Sequence, residues 1–215
     1  MTKNKVLIIG MPRTGSTVLL THVSHHLKIQ QLGEIFGPNG PGFNSLTSGL
    51  AWLQSQPPGV LKILTGQLNL DQIDEFIEQS SIAEVVLLHR RNYTECCISQ
   101  HFAKLINKFH FQRSQEIKNY SSFELPQGHV DYWLNNVYQP YQAIATRWQQ
   151  FPHTDIIYED MINDAEMQIG GKQFKLSDFT RSSLVSPGFD YQQLCKNYND
   201  VDSYIMKNTS LTPIQ

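Results

Sequence analysis

Apolar residues along this chain gather into short unbroken runs separated by amphipathic stretches. Val6-Leu7-Ile8-Ile9, ended by Gly10, reads as a buried parallel strand, because a strand covered on both faces shows no polar alternation. Ser16 to Ile29 follows as a helix, with Leu20, Val23 and Leu27 on one stripe. Gly33 to Phe43 holds four glycines and two prolines and is expected to be loop. Gly59 to Leu64, introduced by Pro57-Pro58, is the second predicted strand, and Leu70 to Gln79 an amphipathic helix with Leu70, Ile73, Phe76 and Ile77 on one side. Ala83 to Leu88 is the third predicted strand and the most hydrophobic segment. Asn92 to Ile106 is the next helix, with Asn92 as N-cap and Glu95 three residues on, an approximate capping box. Residues 107–128 are polar and irregular, and are expected to form a mobile or substrate-facing insertion. His129 to Gln150 reads as a long helix disturbed at Pro140. Asp155 to Tyr158 is a fourth strand, followed by a hairpin at Gln168 to Lys175 around Gly170-Gly171 and short helices near 190 and 203.

Strands alternating with helices define an α/β protein: a three-layer α/β/α arrangement with a central, mainly parallel sheet of about four or five strands, P-loop NTPase-like in style, in one domain over residues 1–215. Ligands bind such sheets at the carboxyl ends of the strands. Chemistry is therefore sought in the loops after Ile9, Leu64, His89 and Tyr158.

The 19 acidic and 17 basic residues leave a net charge of −2, so a surface that coats nucleic acid is not expected, and an anion site must be built from a few placed cations. Three cysteines, two of them adjacent at Cys96-Cys97, make neither a disulfide framework nor a metal-ligand spacing. No apolar run approaches a membrane span, and the short Val6–Gly10 run is not a secretory h-region. The expectation is a soluble cytoplasmic protein without a membrane span.

Gly10-Met11-Pro12-Arg13-Thr14-Gly15-Ser16-Thr17 joins the first strand to the first helix. That is the setting of a phosphate-cradling loop, where backbone N–H groups and a helix N-terminus converge on an anion. Its spacing fits G-x-x-x-x-G-K-[ST] at every defined place but one: Ser16 stands where a nucleoside triphosphatase has Lys. Loss of that lysine argues against phosphoryl transfer from ATP or GTP. The charge is carried instead by Arg13. A second basic point is Arg90-Arg91, at the end of the third predicted strand, with Ser99 eight residues after Arg91. Arginine at the mouth of a sheet suits bidentate phosphate binding, and one of the two is expected to be merely solvated.

At these residues the chain resembles the PAPS-dependent sulfotransferases. Residues 6–20, with Pro12-Arg13-Thr14-Gly15-Ser16-Thr17, are similar to their 5′-phosphosulfate loop, and Leu87 to Ser99 to their 3′-phosphate motif. Tyr158-Glu159-Asp160 and Asn197-Tyr198-Asn199-Asp200 resemble further family elements. The style is that of the bacterial trehalose-type and tyrosylprotein-type members, which carry Arg at the Arg13 position, and a small bacterial or phage enzyme is the expected source. The resemblance implies the donor 3′-phosphoadenosine 5′-phosphosulfate (PAPS), with adenosine 3′,5′-bisphosphate (PAP) as product and no metal. It implies that Thr14, Gly15, Ser16 and Thr17 hold the 5′-phosphate and that Arg91 and Ser99 hold the 3′-phosphate. Arg13 would neutralise the bridging oxygen. The cytosolic branch's Arg-Lys-Gly adenine loop and Lys-Thr-His-Leu-Pro segment are missing, so a His base is unsupported.

Sulfuryl transfer to an alcohol needs a base for the acceptor hydroxyl. Glu34, in Gly33-Glu34-Ile35-Phe36, is the best carboxylate and is placed in the loop after the first helix, comparable with the inferred catalytic Glu of those branches. Lys62 interrupts an apolar strand: either it meets a bound sulfonate, as a catalytic residue, or it snorkels from an edge. His22, His25 and His26 are expected on a solvated helix face, His89 as a strand-end residue, Cys96 and Cys97 as core fillers, and Glu159-Asp160 as structural. Tyr132, Trp133, Tyr138, Tyr141 and Trp148 are expected in the core. The acceptor is a small-molecule, glycan or lipid hydroxyl, with specificity in residues 33–58 and 107–128. A small-molecule kinase with a degenerate loop and a non-catalytic bisphosphate-binding protein are the other readings.

Overall fold

The computed structural model describes residues 5–37, 41–108, 120–178 and 189–209. Five strands, β1 (Lys5–Gly10), β2 (Gln30–Glu34), β3 (Gly59–Leu64), β4 (Ile82–His89) and β5 (Thr154–Ile157), form one parallel sheet in the order β2-β3-β1-β4-β5. β1 lies in the middle; the chain runs from it through α1 to the edge strand β2, returns to β3 beside β1, and then crosses to β4 and β5 on the other side. This is the reversal point at which a parallel sheet opens a crevice above its carboxyl ends.

Two helical layers cover the sheet, and the alternation of side chains assigns each strand residue to a layer. Leu7, Ile9, Leu61, Ile63, Val85 and Leu87 pack with α2 (Leu46–Gln54), α3 (Leu70–Gln79) and the end of α6 (Gln139–Trp148). Val6, Ile8, Val60, Val86 and Leu88 pack with α1 (Ser16–Leu27), with Met161 of α7 (Tyr158–Ile162), and with the antiparallel hairpin β6 (Met167–Ile169) and β7 (Lys172–Phe174). A third cluster joins α4 (Tyr93–Leu105), α5 (Gln127–Trp133), α8 (Tyr191–Leu194) and α9 (Tyr198–Asn208) around Phe102, Trp133 and Tyr141. Asn69 and Gln72 form a complete capping box at the start of α3, and the Asn92 side chain accepts from Glu95 N at the start of α4.

The three-layer α/β/α class read from the sequence is the one observed. Three elements differ from expectation. Glu34 ends a strand, β2, rather than lying in a loop; Gln30-Gln31-Leu32-Gly33-Glu34 carries one large apolar residue because it is an edge strand, half exposed, with a register shift between Gln31 and Gly33. Helix α2 follows the predicted loop Gly33–Phe43, in a stretch where the sequence pattern predicts no element, and is begun by the Ser45 side chain accepting from Ser48 N. The disturbance at Pro140 takes the form of a π-helical turn, Leu134–Tyr138, between α5 and α6. Pro140 has no N–H to give, and a wider turn just before it lets the helix run on. Tyr158 opens α7 instead of ending β5. Of the irregular segment 107–128, residues 109–119 lie outside those described. No helix among the described residues is long and apolar enough to cross a membrane.

Candidate functional site

The loop after β1 folds back on itself through two residues with left-handed backbones, Arg13 (φ 70°) and Gly15 (φ 75°). Glycine is required at the second. A Cβ there would fall 2.6 Å from the Tyr158 ring, which closes over the loop. The Thr14 hydroxyl donates to Met11 O (2.7 Å), so its side chain braces the loop from within. Leu19 N donates to Gly15 O (3.0 Å) as α1 begins, and the first N–H groups of that helix have no carbonyl partner inside it. The Ser16 and Thr17 side chains stand at the same end. This is the geometry of an anion site.

Lys62 brings a second cation to the loop that already carries Arg13. Strand alternation puts it on the same face as Val60, the face covered by α1, and in register with Ile8. Its ammonium donates to Thr17 Oγ1 (2.7 Å) and Ser16 Oγ (3.4 Å). Glu34 is the residue opposite Lys62 in the β2–β3 ladder, and Lys62 Nζ lies 3.1 Å from Glu34 Oε2. The side chains are 6% and 4% exposed, so the pair is buried. The alternative of a snorkelling edge lysine is thereby excluded. Burial lowers the Lys62 pKa, with Glu34 opposing that shift. Glu34 Oε1 accepts from Gln67 Nε2 (2.6 Å). Gln67 carried no signal in the sequence reading, and a lone polar residue after a strand offers none.

Arg13 Nε donates to Ser99 Oγ (3.1 Å) across the crevice, so the loop after β1 and helix α4 meet at these two side chains. The Tyr191 phenol lies near enough to Ser99 for the hydroxyl to lower its pKa against the larger upward push of burial, and nothing in the sequence singles Tyr191 out. Burial lowers the Arg13 pKa, and the guanidinium remains cationic.

Of the two adjacent arginines, Arg90 is the buried one. It donates to Arg13 O (2.6 Å), lies over the Tyr158 ring at 4.4 Å, and pairs with Glu95 (3.2 Å) and Glu159 (3.5 Å). Its work is to hold the carbonyl of a residue in a left-handed conformation. Arg91, the expected 3′-phosphate ligand, is exposed and donates through Nη2 to Asp160 Oδ2 (2.8 Å). The structure brings Ser99 to Arg13 and Arg91 to Asp160. Glu159 accepts from Arg91 N (2.9 Å) and Asn92 N (3.1 Å), so the acidic pair after β5 is woven into the turn that starts α4.

Other candidates resolve as framework. His89 is buried between Tyr141 Oη (2.8 Å) and Asp155 Oδ1 (2.6 Å), and burial lowers its pKa. Cys96 and Cys97 are fully buried, and Cys96 Sγ donates to Pro12 O (3.2 Å); burial raises its pKa to about 11, far from a reactive thiol. His22 is buried, contrary to the expectation of a solvated face, because it falls in the stripe of α1 that holds Leu19 and Val23. Tyr132 is exposed while Trp133, Tyr138, Tyr141 and Trp148 are core. Among the described residues no group of three or more His, Cys, Asp or Glu side chains is placed to hold a metal ion.

No protein-family model matches the chain, and no curated protein matches it. Among solved structures, mouse sulfotransferase SULT7A1 complexed with PAP superposes with a TM-score of 0.47 and 16% identity, over 76% of this chain and 55% of that one. This chain therefore spans about half the length of that protein. Likeness of that degree assigns no residue role here.

Proposed function

We propose that this protein transfers a sulfuryl group from PAPS to the hydroxyl of an acceptor by direct in-line displacement. The observation that carries the reading is the meeting of a buried carboxylate, Glu34, and a buried ammonium, Lys62, at the hydroxyls of Ser16 and Thr17 in the loop after β1. A cation on that loop without the lysine of the nucleoside triphosphatase pattern, paired with a carboxylate, suits transfer of a charged group to a neutral hydroxyl.

The residues fit the donor. Gly15 leaves no space for a Cβ against the Tyr158 ring, so the loop can pass tightly under it without a side chain at that point. Backbone N–H groups from Thr14 to Thr17, the Ser16 and Thr17 hydroxyls and the Lys62 ammonium would hold the 5′-phosphosulfate. Ser99 and Arg91 would take the 3′-phosphate, Arg91 by exchanging Asp160 for it. PAPS supplies, when bound, a sulfur whose bond to the phosphate oxygen is ready to break. Glu34 accepts the proton of the acceptor hydroxyl as that oxygen bonds to sulfur. Arg13 and Lys62 would offset the negative charge on the phosphate oxygen that keeps the electron pair of the broken S–O bond. The acceptor is a small-molecule, glycan or lipid hydroxyl.

The test is transfer of labelled sulfate from PAPS to a pool of phenol, sugar and lipid alcohols. Wild type should label one class, and Glu34→Gln should lose at least about a hundred-fold in rate, the size of a general-base contribution, while still binding PAP. A second reading, a bisphosphate-binding protein without transfer, is favoured by the engagement of both Glu34 oxygens, one by Lys62 and one by Gln67. Transfer unaffected by Glu34→Gln would remove Glu34 from the reaction. PAP binding with no transfer by wild type would favour the second reading.

A further inference from the structure

We infer that Gln67 is a positioning residue for Glu34, one that registers the base against the anion loop; this rests on the reading of Glu34 as the base. The orientation of the Gln67 amide is fixed by its surroundings. Its Oε1 accepts from Leu64 N (2.9 Å), so the oxygen faces the end of β3 and the NH2 group faces Glu34, to which it donates at 2.6 Å. A flipped amide would set oxygen against carboxylate and leave Leu64 N without an acceptor. The turn that carries Gln67 is itself pinned. Gln67 N donates to Leu64 O (3.1 Å), Gly66 adopts φ 88°, and Thr65 N donates to Gly10 O (3.0 Å), the residue at which the anion loop begins. One short path of hydrogen bonds therefore runs from Gly10 through residues 64–67 to the carboxylate of Glu34.

The path sets two coordinates of the base. Lys62 holds Oε2 and Gln67 holds Oε1, so rotation of the carboxylate about its last bond is stopped from both sides. On a third side the backbone at Gly37 passes so close that a Cβ there would collide with the Glu34 carboxylate. β2 is the edge strand and its pairing is irregular at Gln31–Gly33, so its backbone alone holds Glu34 poorly. Gln67, on the neighbouring turn, makes up that looseness. Misplacement of a reacting group by about an ångström costs up to roughly a hundred-fold in rate.

The experiment uses the full chain and four proteins: wild type, Gln67→Leu, Gln67→Glu and Glu34→Gln. PAP affinity is measured by calorimetry. PAPS turnover is followed as PAP formed, with water and with 4-nitrophenol as acceptors. Gln67→Leu should lower kcat by roughly ten- to a hundred-fold with PAP affinity unchanged. Gln67→Glu, nearly the same shape, should be slow at neutral pH and regain rate on mild acidification, as a protonated carboxyl donates where the amide did; a residue that only supports the fold would not give that profile. Wild-type kcat in Gln67→Leu, alongside a loss in Glu34→Gln, would overturn the inference and leave the proposed function standing. Wild-type kcat in Glu34→Gln would overturn both. The contact is also read without turnover. The side-chain amide resonance of Gln67, identified by its absence in Gln67→Leu, should move in Glu34→Gln, and an unmoved resonance would overturn the inference.

Discussion

Lys62 and Glu34 face each other across the β2–β3 ladder with 3.1 Å between Nζ and Oε2, and the same ammonium reaches Thr17 at 2.7 Å. A single lysine thus joins a buried carboxylate to the hydroxyls of the loop after β1. Its position follows from strand periodicity. Two residues after Val60 it shares that residue's face, and α1 with its first turn lies on that face.

Removing one partner of a buried pair strands the other's charge. Lys62→Met should therefore destabilise the fold by about 3–5 kcal/mol in urea denaturation. Adding Glu34→Gln should recover a large part of that loss, since a neutral amide needs no counter-charge. Strict additivity of the two substitutions would show the pair to be uncoupled. Lys62→Met should also weaken PAP by roughly ten- to a hundred-fold, the range of a charge-assisted hydrogen bond.

Gly15→Ala tests the loop itself. The residue holds φ 75°, and its Cβ would press on the Tyr158 ring. The backbone strain alone is about 1–3 kcal/mol. A fall in stability of at least that size, with loss of PAP binding, is expected in parallel denaturation and calorimetry runs. Unchanged PAP affinity would mean that this loop does not contact the ligand.

Arg91 is exposed, and its ion pair with Asp160 contributes little to the fold. Arg91→Ala should leave the melting temperature within about a degree or two, yet weaken PAP. Asp160→Asn should tighten PAP, because the guanidinium no longer exchanges one anion for another. Equal PAP affinity in all three proteins would separate Arg91 from the 3′-phosphate and leave Ser99, Arg13 and Tyr191 as that end of the site.

Acid should destabilise the protein through its histidines. Burial, then the charges of His101 and Lys104, pushes His129 down to about 4. Burial also lowers His22, His89 and His101. The folded-state values lie below the ordinary 6.5, so the unfolded chain takes up protons first as pH falls. Stability is complete above about pH 6.5 and declines toward pH 4. His129→Gln should flatten the slope of melting temperature against pH in that window. An equally steep slope in the variant would place the effect elsewhere.

The parts of this structure that announce themselves in sequence are those that obey a single period. β1 and the Val85–Leu88 part of β4 are apolar runs because both faces are covered, β3 is such a run broken only at Lys62, and the loop after β1 shows its glycines because Gly15 has no alternative. β2 was hidden because an edge strand with exposed Gln30 and Gln31 carries no such run. Glu34 was found by its chemistry but placed in a loop for that reason. The partnership of Lys62 with Glu34 depends on which strands are neighbours, which no local pattern encodes. The choice between Arg90 and Arg91 was equally invisible. Adjacent residues at a strand end point opposite ways, and only Tyr158, Glu95 and Glu159 decide that Arg90 is the one turned inward.

The central claim, that the loop after β1 with Lys62 binds an adenosine bisphosphate rather than a nucleoside triphosphate, is tested most directly by thermal melting with PAP and, separately, with ATP–Mg²⁺. At about a hundred times its Kd, PAP should stabilise the wild-type chain by roughly 2.7 kcal/mol, or roughly 5–10 °C at this chain length, and Lys62→Met should lose most of that shift. A shift with ATP–Mg²⁺ and none with PAP would contradict the claim and return the site to phosphoryl chemistry.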